Sequence, residues 1–117
     1  MIQLVKSGEV ETTLPRAKAL KSCADRLITI GKQVVCSMSD FTCRHSTTPQ
    51  PSARAHHQLK RVLRSEELTK KVQMYVDLSF RDRAGGYSCV RSTRTRKGDS
   101  VRMAKVQYIL QDDFKHR

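Results

Sequence analysis

Gly85-Gly86-Tyr87-Ser88-Cys89-Val90-Arg91-Ser92-Thr93-Arg94-Thr95-Arg96-Lys97-Gly98-Asp99-Ser100-Val101-Arg102-Met103-Ala104-Lys105-Val106-Gln107-Tyr108-Ile109-Leu110 is where the rhythm of the chain turns from helical to alternating. Ala104, Val106, Tyr108 and Leu110 alternate with Met103, Lys105, Gln107 and Ile109, the two-residue period of a strand with one covered face. Tyr87 to Thr95 reads as its partner strand, and Lys97-Gly98-Asp99 as the turn that joins them. One face of this hairpin is expected on helices and the other turned outward.

Upstream the period is 3.6. From Pro15 to about Val35, Ala17, Leu20, Ala24, Leu27 and Ile28 fall on one side of a helix, with Thr13 as N-cap and Pro15 in the first turn, where its missing N–H does no harm. Lys18, Lys21, Asp25 and Lys32 fall on the other side. Val10 to Leu14, with two threonines, reads as a short strand. Cys36 to Ser52 gathers Ser, Thr, Asp and two prolines and keeps no period, which predicts an irregular loop over 36–52. Ala53 to Leu63 resumes a helical spacing through Ala55, Leu59, Val62 and Leu63, with Ser52 as its N-cap. Ser65 restarts one, with Glu66 and Glu67 suited to the positive end of its dipole and Leu68, Val72, Tyr75 and Val76 as its buried stripe. One continuous helix over 53–79 is the alternative, and 111–117 reads as a frayed tail. With 117 residues there is material for one core, so 1–117 is expected to be a single domain. The order strand, helix, helix, helix, strand, strand predicts an α+β fold: a two-layer domain with three helices on one side of a small mixed sheet that ends in the C-terminal hairpin.

Charge bounds the function. Twenty-three Lys and Arg against 11 Asp and Glu give a formal net charge of +12. Such a body repels itself and calls for an anionic partner, and no long apolar span or Lys-rich amphipathic face points to a membrane. The excess is uneven: +3 over the first 50 residues and +9 over the rest. Arg91, Arg94, Arg96, Lys97 and Arg102 crowd the hairpin, and the guanidinium fork suits phosphate oxygens. A solvated edge that keeps strands from pairing with other chains is the bland account of the same residues. The acid-poor surroundings favour phosphate contact with counterion release instead.

Three further groups have double readings. Gly85 and Gly86, at a helix end and strand start, are expected to supply positive φ, and they would also let the backbone approach a phosphate while Tyr87 stacks on a base, with Tyr87 as a core strand residue the alternative. Thr12, Thr13, Arg16, Lys18 and Lys21 lie at or beside a helix N-terminus, where an anion is attracted, or where the threonines serve as caps alone. Cys36, Cys43, His45, His56 and His57 offer zinc-compatible ligands, but no C-x2-C pair occurs and the spacing fits no familiar knuckle. Unpaired thiols, and histidines facing RNA or water, are the expectation there. Cys43-Arg44-His45 sets a thiol near an imidazole in sequence without a frame for catalysis, so no enzyme activity, cofactor or small-molecule substrate is expected. The four cysteines are scattered and follow no signal-peptide-like segment, which argues against a secreted disulfide scaffold.

Thr12-Thr13-Leu14-Pro15-Arg16-Ala17-Lys18-Ala19-Leu20, then Leu27-Ile28-Thr29, then Arg83-Ala84-Gly85-Gly86-Tyr87, then Gly98-Asp99 and Met103-Ala104 before an apolar strand, resembles the family of the seventeenth protein of the bacterial-type large ribosomal subunit. The likeness runs over roughly residues 5 to 110 apart from the loop. It implies a structural, non-catalytic protein of two-layer α/β fold, bound to large-subunit rRNA near the rim of the polypeptide exit tunnel beside other ribosomal proteins. Arg83, from the acid-poor run in which Arg81, Arg83, Arg91, Arg94, Arg96, Lys97, Arg102 and Lys105 face only Asp82 and Asp99, is counted with the glycines and the hairpin arginines among the expected RNA-binding residues. Two departures stand out: the family's basic N-terminal segment is represented only by Met1 to Lys6, and Cys36 to His57 does not follow the family's short basic connection. Together with the cysteine content they point to an organellar ribosome, mitochondrial in preference to plastid, with bacterial cytoplasm as the remaining alternative.

A helix-turn-helix DNA-binding module, formed by the paired helices 53–63 and 65–79, is the competing function. It places Lys70 and Lys71 on the second helix beside Glu66, Glu67 and Asp77, a poor recognition face. A zinc-dependent nucleic-acid enzyme is a third. Elemental analysis of the purified chain is expected to return substoichiometric zinc, and one equivalent per chain would restore the metal reading.

Overall fold

The computed structural model describes residues 1–38 and 52–110. Its elements run α1 (Ile2–Ser7), β1 (Glu9–Thr13), α2 (Leu14–Met38), α3 (Ser52–Leu63), α4 (Glu66–Tyr75), β2 (Ser88–Thr95) and β3 (Arg102–Tyr108). The architecture is α+β as the periodicities predict, with two differences. The sheet is antiparallel throughout, not mixed, in the order β1-β3-β2, because the last strand inserts between the first strand and its own hairpin partner. A fourth helix, α1, precedes the first strand. It is too short to show a period, yet its Leu4 and Val5 are fully buried.

Register fixes which side chains share a face. Val10, Val106 and Val90 stand in one cross-strand row and Thr12, Ala104 and Ser92 in the next. This is the covered side, where Ala104, Val106 and Tyr108 are at most 2% exposed. The opposite side carries the rows Glu11-Lys105-Arg91 and Glu9-Gln107-Cys89.

α2 lies across the covered face and also packs on α3 and α4. Ala17, Ala24, Leu27 and Ile28 are buried as the stripe predicts, and Leu20 is half-buried. The helix runs on to Met38 and α3 starts at Ser52, so Cys36 to Met38 and Ser52 are helical rather than loop. Residues 39–51 of the expected loop and the expected frayed tail lie outside the described residues. At Gly31 a Cβ would stand 3.1 Å from Val72 Cγ1 and Val76 Cγ2, so glycine is what lets α4 nest this closely on α2.

α3 and α4 are two helices, not one. Arg64 between them sits at φ 55, the left-handed region that stops a helix and costs a non-glycine residue roughly 1–2 kcal/mol. Ser65, extended at φ −146, begins α4. Val62, placed by spacing on the buried side of α3, is 45% exposed. α4 passes directly into a single π-helical turn, Val76–Phe80, that buries both Val76 and Phe80. Phe80 meets Tyr87 edge-on at 5.3 Å between ring centroids and lies 6.2 Å from Tyr108, so three aromatic rings close the core where α4 ends and β2 begins.

Two polar groups at the helix–sheet interface behave oppositely. Asp25, assigned by spacing to the polar side of α2, instead reaches β2 and accepts hydrogen bonds from the Ser88 backbone N–H at 3.0 Å and the Ser88 hydroxyl at 2.8 Å. The buried Tyr108 hydroxyl has no partner among the described residues, and burial, aided by Tyr75 and Asp25, pushes its pKa well above the usual phenol value. Asp25→Ala is therefore expected to lower stability by about 1.5–3 kcal/mol, since two donors lose a charged acceptor. Tyr108→Phe is expected to leave the melting temperature unchanged or raise it. Chemical denaturation of both variants checks this, and a Tyr108→Phe loss as large as that of Asp25→Ala would show that the hydroxyl is bonded.

Candidate RNA interface

The hairpin is the most exposed part of the sheet. Every residue from Arg91 to Ser100 is exposed. Between Ser92 and Thr95 the β2 strand uses one residue more than β3 to reach the next pair, a bulge of the kind that bends a strand and increases its twist. The tip closes through Arg96 N–H to Val101 O at 2.9 Å and Ser100 N–H to Arg96 O at 3.0 Å, with Ser100 at φ 55. Arg96 grips Asp99 with both forks, Nε to Oδ1 at 2.9 Å and a terminal nitrogen to Oδ2 at 2.6 Å. That contact holds the Asp99 carboxyl below the usual range and raises the Arg96 guanidinium. Arg96 thus shapes the turn before it meets any ligand.

The other cations of the arm differ from one another. Arg94 lies 3.5 Å from Glu11, which also accepts from the Thr93 hydroxyl at 3.1 Å. Glu9 takes Lys105 at 2.7 Å. Both acids of β1 are thereby matched across the open side of the sheet. Arg91, Lys97 and Arg102 are exposed and have no acidic partner among the described residues, so they are the charges most available to an anion.

Pairing of β1 with β3 brings the start of α2 to the same end of the molecule as the arm, since Thr13 stands opposite Met103 and Leu14 follows at once. Thr12 and Thr13 are half-buried, Arg16 and Lys18 are exposed, and Lys21 is 3.8 Å from Asp25. Thr12, Thr13, Arg16 and Lys18 share one end with the arm, whereas Lys21, through Asp25, is drawn toward the start of β2.

Arg83, Gly85, Gly86 and Tyr87 do not join it. They precede β2, whose eight residues extend roughly 23 Å from them toward the tip. Gly86 holds φ 67 and so needs to be glycine, whereas Gly85 has ordinary φ and open space around it. The expected positive φ therefore applies to one glycine, not two. Tyr87 is 4% exposed, donates its hydroxyl to Arg83 O at 3.2 Å and lies under the Lys32 ammonium, 5.0 Å from the ring centroid. Its ring is core and is not open to a base. The backbone carbonyl of Arg83 also accepts from Lys32, and its guanidinium points to Ile109 O at 3.4 Å. Through these contacts the segment fastens the entry of β2 to α2.

α4 makes a poor recognition helix in three dimensions too. Its first turn carries Glu66 and Glu67, and Lys71 turns inward to Lys6 O and the Tyr75 ring. Among the described residues no three His, Cys, Asp or Glu side chains converge on a metal position, and Cys43 and His45 lie outside those residues. No described helix is long and apolar enough to cross a membrane. Basic residues on α3 lay outside the expected set. The signal for them was the absence of any acid between Ser52 and Arg64.

The comparisons with known proteins cover the residues that build this fold. The profile of ribosomal protein L17 matches residues 1–109. A large ribosomal subunit protein bL17 from Campylobacter jejuni subsp. doylei is 34% identical over 108 residues, covering 92% of this chain and 78% of the relative. The bL17 of Aliarcobacter butzleri is 32% identical with the same coverage, and that of Campylobacter concisus 31% identical over 110 residues. The match takes in α1, the sheet and every described helix between them, and on that extent the chain belongs to the ribosomal protein L17 family of the large ribosomal subunit.

Proposed function

We propose that this chain binds large-subunit rRNA near the rim of the polypeptide exit tunnel, through the hairpin arm and the adjoining start of α2, within a mitochondrial ribosome. That the family is a structural constituent of the ribosome rather than an enzyme is the frame for this reading. The observation that carries the RNA contact is the exposure of Arg91, Lys97 and Arg102 with no acidic partner among the described residues, on an arm stiffened by the Arg96–Asp99 fork. A duplex or folded RNA surface offers closely spaced phosphates, and each one neutralised releases a counterion. Arg16 and Lys18 extend the same field from the first turns of α2, whose unpaired N–H groups favour an anion. Family membership supports the tunnel-rim position and the neighbouring ribosomal proteins. Divergence over Cys36 to His57, and the cysteine content, support the organelle.

Reversing the charge of Arg91, Lys97 and Arg102 to Glu is expected to leave the melting curve near that of the parent, because exposed residues of this kind usually change stability by less than about 0.5 kcal/mol. The same variant is expected to lose its place on large subunits in sucrose gradients. Unaltered co-sedimentation at 150 mM salt would remove the arm from the interface, and recovery of the parent chain as a free monomer at that salt would remove the rRNA reading. Fractionation of organelles from the source cells reads the compartment directly.

A further inference from the structure

α3 has a face that the fold does not use. Ala55, Leu59 and Leu63 are at most 2% exposed and seat the helix on α2 and α4. Arg54, His57 and Arg61 recur at i, i+3 and i+7, opposite that seat, and all are exposed. Arg64 follows at the end of the helix and is exposed as well. Lys60 is different, since Glu66 binds it at 2.5 Å. No acidic partner among the described residues meets Arg54, Arg61 or Arg64.

Two of these cations stand where the fold itself would prefer something else. Arg54 occupies the first turn, at the positive end of the helix dipole, in a helix with no acidic residue in that turn. Arg64 takes the left-handed position after the last turn, with its N–H on Lys60 O at 2.8 Å, where glycine would be unstrained. Only Arg61 is favourably placed, at the negative end. A solvated face has no reason to keep a cation at the wrong pole and another on a strained backbone. An external row of negative charges does.

We infer that the outer face of α3 is a second phosphate-binding surface, taking an RNA backbone along Arg54, His57, Arg61 and Arg64. It rests on the reading of the chain as an rRNA-binding protein and adds a separate point of attachment. The stripe covers about 10 Å of helix axis from Arg54 to Arg61. It is not continuous with the hairpin arm, because α3 packs chiefly on α2 and α4, and α2 stands between α3 and the sheet. A domain with basic surfaces on both sides of one long helix ties two RNA segments together, or two parts of one fold.

The test is salt-dependent binding of the full chain to a protein-free large-subunit rRNA transcript, between 50 and 200 mM monovalent salt. Three proteins are compared: the parent, an α3 variant (Arg54→Gln, Arg61→Gln, Arg64→Gly) and an arm variant (Arg91→Gln, Lys97→Gln, Arg102→Gln). Each phosphate contact removed is expected to reduce the slope of log affinity against log salt by about 0.7–0.9. The α3 variant should therefore lose roughly 2 to 3 from the slope, and its loss should add to that of the arm variant. Arg64→Gly alone separates binding from folding: its melting temperature should equal or exceed the parent's while the slope still falls by about 0.7–0.9. Parent-like binding by the α3 variant beside weakened binding by the arm variant overturns the second surface and leaves the rRNA reading in place. Parent-like binding by both overturns the two together. Losses that fail to add overturn the claim of separate surfaces.

Discussion

The pairing of β1 with β3 joins residues 9–13 to residues 103–107, and nearly everything else hangs on that long-range contact. β3 is the central strand, so without it neither β1 nor β2 has a ladder partner. It gives α2 a surface to lie on through Ala104, Val106 and Tyr108. It also decides where the charges go. The chain enters α2 directly from β1, so drawing β1 against β3 puts Arg16 and Lys18 beside the hairpin arm rather than at a remote corner. Contacts this distant in sequence form only after a large loss of chain entropy, and the apolar face of α2 is what makes that loss recoverable.

The surface pairs have a different job from the core. An exposed ion pair contributes little to stability, commonly between zero and about 1 kcal/mol. Glu9 with Lys105, Glu11 with Arg94 and Asp99 with Arg96 are all of this exposed kind. Their consequence is selection: they absorb the acids nearest the arm and fix three basic side chains by short-range partners. The cations that remain form the field an anion meets. Asp25 does the opposite kind of work, since its carboxylate, half-covered by β2, bonds the strand's first residue and sets where the strand starts relative to α2.

Much of this was legible in the residues because it is periodic. The α2 stripe, the alternation of β3, the turn at Lys97-Gly98-Asp99 and the break near Ser65 each leave a local trace. What was not legible is what depends on partners far away in sequence. Asp25 looks like surface on a helical wheel, and only the arrival of Ser88, 63 residues later, makes it a strand anchor. Tyr87, beside two glycines, reads from sequence as either a core or a stacking residue, and only Phe80 and Lys32, which enclose it, decide for the core. α1 has six residues, too few for a period, and is held by what it packs against. The strand order could not be read from hairpin signals, because those specify β2 with β3 and are silent about the other edge of β3. Among the residues expected at RNA, the arm and the start of α2 lie at one end of the sheet and Arg83 to Tyr87 at the other, a separation that no local signal announces because it depends on the strand pairing.

The net charge of +12 acts with opposite sign on the free and the bound domain. In the free protein, like charges on a small body oppose compaction, and added salt relieves that opposition over a Debye length of about 8–10 Å. On the RNA partner proposed above the same charges would be the source of affinity, and added salt would remove it. Binding to the folded state raises the apparent stability of that state by mass action. The arm is where this exchange is sharpest, because residues Arg91 to Ser100 bury almost nothing and their order rests on the ladder to β3, the tip hydrogen bonds and the Arg96–Asp99 fork. A two-stranded ribbon with so little apolar cover is marginal by itself. The core of the described residues closes without RNA, and under the proposed function the most cationic projection is the part whose stability would gain most from that partner.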